Sequence, residues 1–347
     1  MIDYGKYVLP YMIKSAEKYG IKYEMNKTQS GKCVLFDFNG RKIILWDFPF
    51  NINPSASVKV CMNKDVCTYF LDKLGYSVPK SENFTRKSTE KNSDLIPYMM
   101  DFLSQIEASE NVLNYPLILK PSNLSQGQGI FKIENREDAL RAFEHLDEYK
   151  TKTFILQEFC KGNDYRVVVL GDKVIQAYQR IPFHIEGNGI DCVEDLVKAK
   201  SNEFINYDRD KEIDLADERI WNLVKSQGYL KKSVLKKGEI LNLQSIANLS
   251  LGGSAKDVTN DISPYYIGIA KGVAAGLNLD MCGVDFIADD LTSEKNRNHK
   301  ILEVNSAPGL DNYLYPEKEK QEEYVEELYD EVFLYLMDKY SENVIEK

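Results

Sequence analysis

The chain has 347 residues, 43% of them hydrophobic, which is enough apolar material for a sizeable core and two or three subdomains. Its 44 Lys and Arg against 54 Asp and Glu leave a net charge of −10, a balance that argues against non-specific nucleic-acid binding, which leans on basic patches. No apolar run of about 18 residues occurs, so no membrane span is expected, and the six scattered cysteines and three distant histidines give no zinc spacing, so reduced thiols in a cytoplasmic protein are expected.

Taken in order, residues 1–80 read as a small α/β lead-in, and MIDYGKYVLPY does not read as a signal peptide. Pro10–Tyr19 is a short helix closed by Gly20. Cys33–Phe48 is two strands around Asn39-Gly40, a strong hairpin signal. Val58–Met62 reads as a short apolar strand. Asn63 then caps a helix from Lys64 to Leu74, with Val66, Cys67, Phe70, Leu71 and Leu74 as its buried stripe. Lys64 is out of place in a first turn, where the helix dipole disfavours a cation. It is either a solvated lysine or one whose partner is an anion.

Residues 81–160 form the next division. The polar stretch TRKSTEKNS reads as a mobile linker, followed by a helix near Leu95–Glu107. Leu117–Lys120 is a buried strand, and the loop Pro121–Gly129 carries Ser122, Ser125, Gly127 and Gly129. Glycines there let backbone N–H groups approach an anion, although a plain hairpin turn fits the same pattern. The loop is not a Walker A loop, because no G-K-[ST] follows its glycines. Asn135 caps a helix to about His145, with Ala139, Leu140, Phe143 and Leu146 inward. Phe154–Cys160 is a strand running into a connector.

Residues 161–347 form the last division. Tyr165–Leu170 and Val174–Arg180 are strands around Gly171-Asp172, with Arg166 and Arg180 alternating out of the apolar face. They are either surface arginines or a planar fork for an oxyanion. A lone His184 reads as structural. Cys192–Lys200 and Asp217–Gln227 are helices, and Glu239–Leu243 a strand. Asn248–Thr259 is a Gly-rich turn with Gly252, Gly253 and Lys256, whose amides and amine suit an anionic substrate. Ser263-Pro264 starts a helix that stops at Gly276. The final helix, Glu317–Tyr340, buries Val325, Leu328, Val332, Phe333, Leu336 and Met337.

Between the last two helices lies MCGVDFIADD, a polar break, then ILEVNSAPG. Both flanks alternate with period two and read as paired strands. Asp285 falls on one face of the first strand, and Glu303 and Asn305 share a face of the second. If the strands pair as a hairpin with Asp285 on the side of Glu303 and Asn305, two carboxylates and an amide oxygen converge on one patch, which suits Mg²⁺ with its hard oxygen ligands and substrate phosphates. Solvated acids on an open strand face fit the same pattern.

The spacing D-x(17)-E-x-N-x-x-P-G resembles the metal end of the ATP-grasp ligase superfamily. Upstream, NLSLGGSAKDVT, GNDYRVVVLGDKVIQAYQRIPFHIEGNGI and YPLILKPSNLSQGQGI occur in the family's order. Together they are most like the ATP-grasp module of cyanophycin synthetases and the glutathione-synthetase half of bifunctional glutathione enzymes. The resemblance runs from about Tyr115 to Pro316. It implies an α/β (α+β) ATP-grasp fold, with two α+β subdomains clasping ATP behind the lead-in domain.

Carried over position by position, Asp285, Glu303 and Asn305 would hold two Mg²⁺ ions, with Mn²⁺ able to substitute. Lys64 resembles the first phosphate lysine of D-alanine–D-alanine ligase-like enzymes. Lys120, Ser122, Ser125, Gly127 and Gly129 match the phosphate lysine and its lid loop. Gln157 and Cys160 match the adenine hinge, Glu158 stands where the family has a basic residue, and Asp164 matches the acid that meets the ribose or the amino-acid ligand. Arg166, Arg180, Lys256, Gly252 and Gly253 are the candidate catalytic set. Asn202–Leu215 departs from the family and leaves the acceptor open. The resemblance implies an ATP-dependent ligase that joins a small carboxylate and amine, amino acids or short peptides, through an acyl phosphate. A small-molecule kinase and a nucleotide-binding scaffold are the rivals. Neither nucleic acid nor membrane is an expected partner, and a homodimer is compatible with the pattern.

Overall fold

A computed structural model describes the chain except residues 1–8, 29–30, 47–49, 109–112, 125–127, 207–216, 245–252, 296, 312–314, 316 and 342–347. Helix α1 (Leu9–Lys18) precedes strands β1 (Lys22–Thr28), β2 (Gly31–Phe38) and β3 (Arg41–Trp46), then helices α2 (Ser55–Cys61) and α3 (Lys64–Lys73). Next come β4 (Ser81–Thr85), α4 (Ile96–Glu107), β5 (Leu117–Pro121), β6 (Phe131–Ile133), α5 (Arg136–Phe143) and β7 (Thr153–Glu158). The chain continues through β8 (Asn163–Leu170), β9 (Lys173–Ile181), β10 (His184–Glu186), α6 (Val193–Asn206), α7 (Glu218–Ser226), β11 (Ile240–Asn242) and β12 (Ser254–Asp257). Helix α8 (Pro264–Gly276), strands β13 (Met281–Ala288) and β14 (His299–Asn305), and helix α9 (Lys318–Lys339) complete it.

Packing divides the chain into two units, each drawn from separated stretches. One gathers Met1–Ile52, Asp164–Ile262 and Ala307–Lys347. The other gathers Asn53–Asn163 and Ser263–Ser306.

In the first unit, β1, β2 and β3 form an antiparallel sheet. The turn between β2 and β3 puts Asn39 at φ 52° and Gly40 at φ 88°, the left-handed pair that a two-residue hairpin demands. Alternation then buries Val34, Phe36 and Phe38 on β2 and Ile43 and Leu45 on β3. They meet α9, where Phe36 and Phe333 pack edge to face at 5.2 Å. One turn earlier on α9, Ser15 of α1 donates to Asp330 at 2.8 Å, and Lys18 pairs with the same carboxylate. Strand β9 carries β8 on one flank and β12 on the other, both antiparallel. Helices α6 and α7 cover the β10–β11 pair, with Val193, Val197, Ile220 and Val224 in one core with Leu241 of β11.

In the second unit, β4-β7-β5-β6 is an antiparallel sheet under α4 and α5. Met99, Leu103, Phe143 and Leu146 fill the layer between sheet and helices. The Asn135 side chain accepts from the N–H groups of Glu137 and Asp138, each at 3.0 Å, and so caps α5. The same unit contains the β13–β14 hairpin, with α2 and α3 packed against β14 and α8 against β13. Asn53 stitches this part together. Its amide donates to Met281 O and Ser306 O at 2.8 Å and accepts from the N–H of Asp280 and of Met281.

Several expectations change. Val58–Met62 is not a strand but lies at the end of α2. Pro54 opens that helix with φ −61°, and Val58 N–H closes its first bond on Pro54 O. Of the stripe expected on α3, Cys67 and Leu71 are buried, while Val66, Phe70 and Leu74 are exposed. Leu140 on α5 is also exposed. Strand β1 was not foreseen, and the last part of the expected Asn248–Thr259 turn is strand β12. The expected TRKSTEKNS linker is tied down: Arg86 donates to Asn92 Oδ1 at 2.6 Å, and buried Asn92 donates to Leu146 O and Tyr149 O. His184 meets Pro182 O through Nδ1 at 2.9 Å, a local backbone contact.

Candidate active site

The acidic hairpin forms as a ladder of opposed residues. Asp285 lies opposite Glu303 and Gly283 opposite Asn305. Directly opposed residues share a face, so the two carboxylates and the amide stand on one side. A register shift between Asp285 and Phe286 skips Leu302. It lets Ile301 and Val304, of opposite parity, both be buried. It also puts Lys300, opposite Ile287, on the face of Asp285. Asp285 is 1% exposed.

The first cation at this site is Lys64. Its ammonium lies 3.0 Å from Glu303 Oε2 and donates to Leu124 O at 2.8 Å. Its backbone N–H donates to Ser122 O at 3.0 Å. The charge misplaced at a helix N-terminus is thus answered by a carboxylate, and the same residue anchors the start of the glycine loop.

The second is Lys120, which ends the apolar run of β5 and is 7% exposed. It donates to Gln157 Oε1 at 2.8 Å. Burial pushes its pKa down to about 8, with Glu303 pulling it back up and Lys64 pushing it further down. Both amines therefore sense the same carboxylate.

After Lys120 the chain turns through Ser122, whose N–H donates to Thr153 O at 3.0 Å. The loop returns at Gly129, φ 69°, where a Cβ would sit 2.8 Å from Pro121 Cγ and 2.9 Å from Tyr149. Only glycine folds the loop back on its own start there. Ser125 and Gly127 lie outside the described residues.

Gln157 and Glu158 end β7, and Cys160 lies in the connector that follows. Glu158 accepts from Lys80 N–H at 3.0 Å and pairs with Lys300 at 3.2 Å. Lys300 also donates to Val78 O. Glu158, expected where the resembled family has a basic residue, is thus paired with Lys300, a residue the sequence reading placed in the polar break. Burial pushes the Cys160 thiol up to about 11, so it is a neutral wall rather than a nucleophile.

In the other unit, Arg180 grips Asp164 through Nε at 2.9 Å and a terminal nitrogen at 2.7 Å. They are direct partners across β8 and β9, with Arg166 opposite Tyr178 on the same face. Lys256 pairs with Gln179 on β12 and falls on the opposite face, exposed. Gly253 is buried at the start of that strand, and Gly252 lies outside the described residues.

Among the described residues no group of three or more His, Cys, Asp or Glu side chains is set to hold a metal. A hard divalent ion does not need one. Mg²⁺ typically takes one or two carboxylates and completes its shell with water and phosphate oxygens. Asp285, Glu303 and Asn305 meet that requirement, and the neighbouring ammonium groups suit the phosphates.

The chain is similar to known proteins in sequence and in fold. Residues 82–189 match the RimK-like ATP-grasp domain family. Over 219 residues the chain is 36% identical to cyanophycin synthetase of Geminocystis herdmanii, a match covering 60% of this chain and 25% of that one. It is 29% identical over 259 residues to the glutathione biosynthesis bifunctional protein of Clostridium perfringens, covering 72% and 33%. The crystal structure of a bifunctional glutathione synthetase from Pasteurella multocida aligns with a TM-score of 0.58 at 23% identity, over 92% of this chain and 43% of that one. The chain therefore spans a quarter to a third of the curated relatives it matches. Its fold is that of the ATP-grasp ligases.

Proposed function

We propose that this chain, which carries a RimK-like ATP-grasp domain, is an ATP-dependent carboxylate–amine ligase acting on amino acids or short peptides. The observation that carries this reading is the meeting of Lys64 and Lys120 with the Asp285–Glu303 face within one compact unit. Cations for phosphate beside oxygens for a divalent ion are what phosphoryl transfer from a nucleotide requires.

In this reading Lys64, Lys120 and the backbone of Pro121–Gly129 hold the phosphates, while Gln157–Cys160 borders the adenine. Asp285, Glu303 and Asn305 would hold two Mg²⁺ ions, which neutralise phosphate charge when bound. Arg166 and the Gly252-Gly253 turn receive the substrate carboxylate, Asp164 fixes the plane of Arg180 for the same purpose, and Lys256, on the other face of that sheet, stands apart from them. The carboxylate attacks the γ-phosphoryl group, and an amine then displaces phosphate from the acyl phosphate to give an amide. The protein contributes mainly by positioning and by fixed charge, and orientation alone is worth about 7–11 kcal/mol in favourable cases.

A screen of ADP release across pairs of carboxylates and amines tests this. Release is expected to need both members of one pair, and hydroxylamine is expected to replace the amine and give a hydroxamate. ADP release that depends on an alcohol substrate and on no carboxylate would sink the ligase reading.

A further inference from the structure

A cavity of about 540 Å³ lies wholly within the unit that gathers Met1–Ile52, Asp164–Ile262 and Ala307–Lys347, and none of the candidate site residues lines it. Its walls are tyrosine rings, carboxylates and an apolar strip. Tyr315 and Tyr324 meet edge to face at 5.2 Å, and Tyr19 is the third ring. Asp257 is held by neutral donors alone: the Tyr315 hydroxyl at 2.8 Å on one oxygen, and the Thr259 N–H at 2.8 Å and hydroxyl at 2.6 Å on the other. Glu327 and Glu331, one turn apart on α9, are exposed, and among the described residues no cation lies within ion-pair distance of either. Asp330 also lines the cavity, but Ser15 and Lys18 already hold it. Burial, then the Asp257 and Glu327 carboxylates, push the Tyr315 phenol up, as expected beside uncompensated negative charge. The rings accept ammonium groups of the chain itself. Lys320 Nζ stands 4.1 Å over the Tyr315 ring, and Lys18 Nζ stands 5.5 Å over that of Tyr19.

We propose that this cavity binds an alkylammonium group, and that the amine substrate is a short diamine or polyamine anchored there by its second nitrogen. Aromatic faces beside carboxylates that lack a cationic partner are the chemistry that selects an organic cation. A phosphate or a carboxylate would meet like charge from Asp257, Glu327 and Glu331. Ile175, Leu328 and Leu334 give the methylene chain an apolar wall.

Strand register sets the cavity beside the arginines proposed to receive the substrate carboxylate. Asp257 on β12 and Arg166 on β8 are both opposite Tyr178 of β9, and Arg180 follows two residues later. All these side chains therefore leave one face of the sheet. Two residues of strand span about 7 Å, close to the separation of the two nitrogens in a short alkyl diamine. One nitrogen stays protonated in the cavity. The other, unprotonated, attacks the acyl carbon of the acyl phosphate. The C–N bond forms as the C–O bond to phosphate breaks, and the departing phosphate takes the electron pair and the proton that the nitrogen gives up. Binding of the cation stands on the cavity itself, whereas its role as acceptor rests on the ligase reading.

Calorimetric titration of the full chain with diaminobutane, without nucleotide, tests the site. Binding is expected, and the double variant Glu327→Gln, Glu331→Gln should bind on the order of tenfold more weakly. Both positions are exposed and unpaired, so the thermal midpoint of the variant should match that of the parent chain. No binding, or equal binding by a folded double variant, overturns the site. ADP release with a productive carboxylate tests the acceptor role, with aminobutanol, in which a hydroxyl replaces one amine, as the comparison. Diaminobutane should show the lower KM at similar kcat, and the double variant should narrow the gap. Equal KM values in the parent chain overturn the acceptor role. Diaminobutane that binds in the expected way but drives no ADP release with any carboxylate supports the cation site and overturns the acceptor role, while ADP release with other amines keeps the ligase reading.

Discussion

Lys120 shows how a single residue carries opposed demands. In the free protein its charge is buried beside a neutral amide, and its pKa falls from 10.5 to about 8. The sign follows directly. Below about pH 8 the folded state holds a costly buried charge, and that cost is relieved as pH rises from about 8 towards 10.5. Nucleotide phosphates want the charged form, so affinity for a non-hydrolysable ATP analogue should be level below pH 8 and fall above it. Lys120→Met keeps most of the volume and removes the charge. It should weaken that affinity by roughly 10–100-fold, as expected for a hydrogen bond to a charged group, flatten the pH dependence and lower the thermal midpoint by no more than a few degrees. Calorimetric titration across pH 7–10 on both proteins is the check, and an unchanged affinity in folded Lys120→Met would remove Lys120 from the site. Glu303→Gln separates metal from phosphate at the same place. Turnover should drop by at least about 10²-fold, since even outer partners of metal ligands are worth 10–100-fold. Metal-free nucleotide affinity should hold or improve, because a negative charge beside the phosphates is gone. A variant that keeps full turnover would show that Glu303 is not a ligand. Glu303 and Asn305 were legible as one face by alternation, whereas the side on which Asp285 falls depends on the pairing register of the two strands. Lys300 was not, because the register shift at Leu302 reverses the parity on which alternation depends.

Elements were legible where local chemistry is decisive. Asn39-Gly40 demands its hairpin, and Asn135 caps α5 where expected. Replacing that cap by alanine leaves the N–H groups of Glu137 and Asp138 without their acceptor, a loss of about 1 kcal/mol. Asn135→Ala should therefore lower the urea midpoint without changing the slope of the transition, and without altering nucleotide affinity. A change in slope would mean that the cap also shapes the denatured state or breaks two-state unfolding. Short apolar runs were less legible. Val58–Met62 fits strand and helix equally by pattern, and the decision lies with Pro54, which opens a helix. The stripe on α3 was drawn too wide for a different reason. A ten-residue helix that touches its neighbours through Cys67 and Leu71 leaves Val66 and Phe70 outside, and periodicity alone does not say how wide a neighbour is. Strand β1, with Lys, Glu and Asn among its apolar residues, gains its stability from pairing with β2 rather than from its own composition.

At the scale of the whole molecule, sequence order and packing order diverge. Each compact unit is drawn from separated stretches, so the lead-in strands share a unit with α9 rather than with the helices that follow them in the chain. Contacts of that range have no signature in a local window. The chemistry proposed for the chain also belongs to this scale, because it needs phosphate, metal, carboxylate and amine groups to act in one sequence. An acyl phosphate is short-lived in water, so a ligase must withhold water until the amine arrives. ADP release should accordingly be slow with the carboxylate alone and fast with both substrates. Oxygen-18 placed in the carboxylate should appear in the released phosphate, because one carboxylate oxygen bridges to phosphorus and leaves with it when the amine attacks carbon. A kinase acting on the same substrate would keep the label in a stable phosphorylated product, and a scaffold would release no ADP with any pair. Mass analysis of the phosphate formed by a productive pair decides among the three. Unlabelled phosphate, from a pair that does drive ADP release and amide formation, would exclude the acyl-phosphate route.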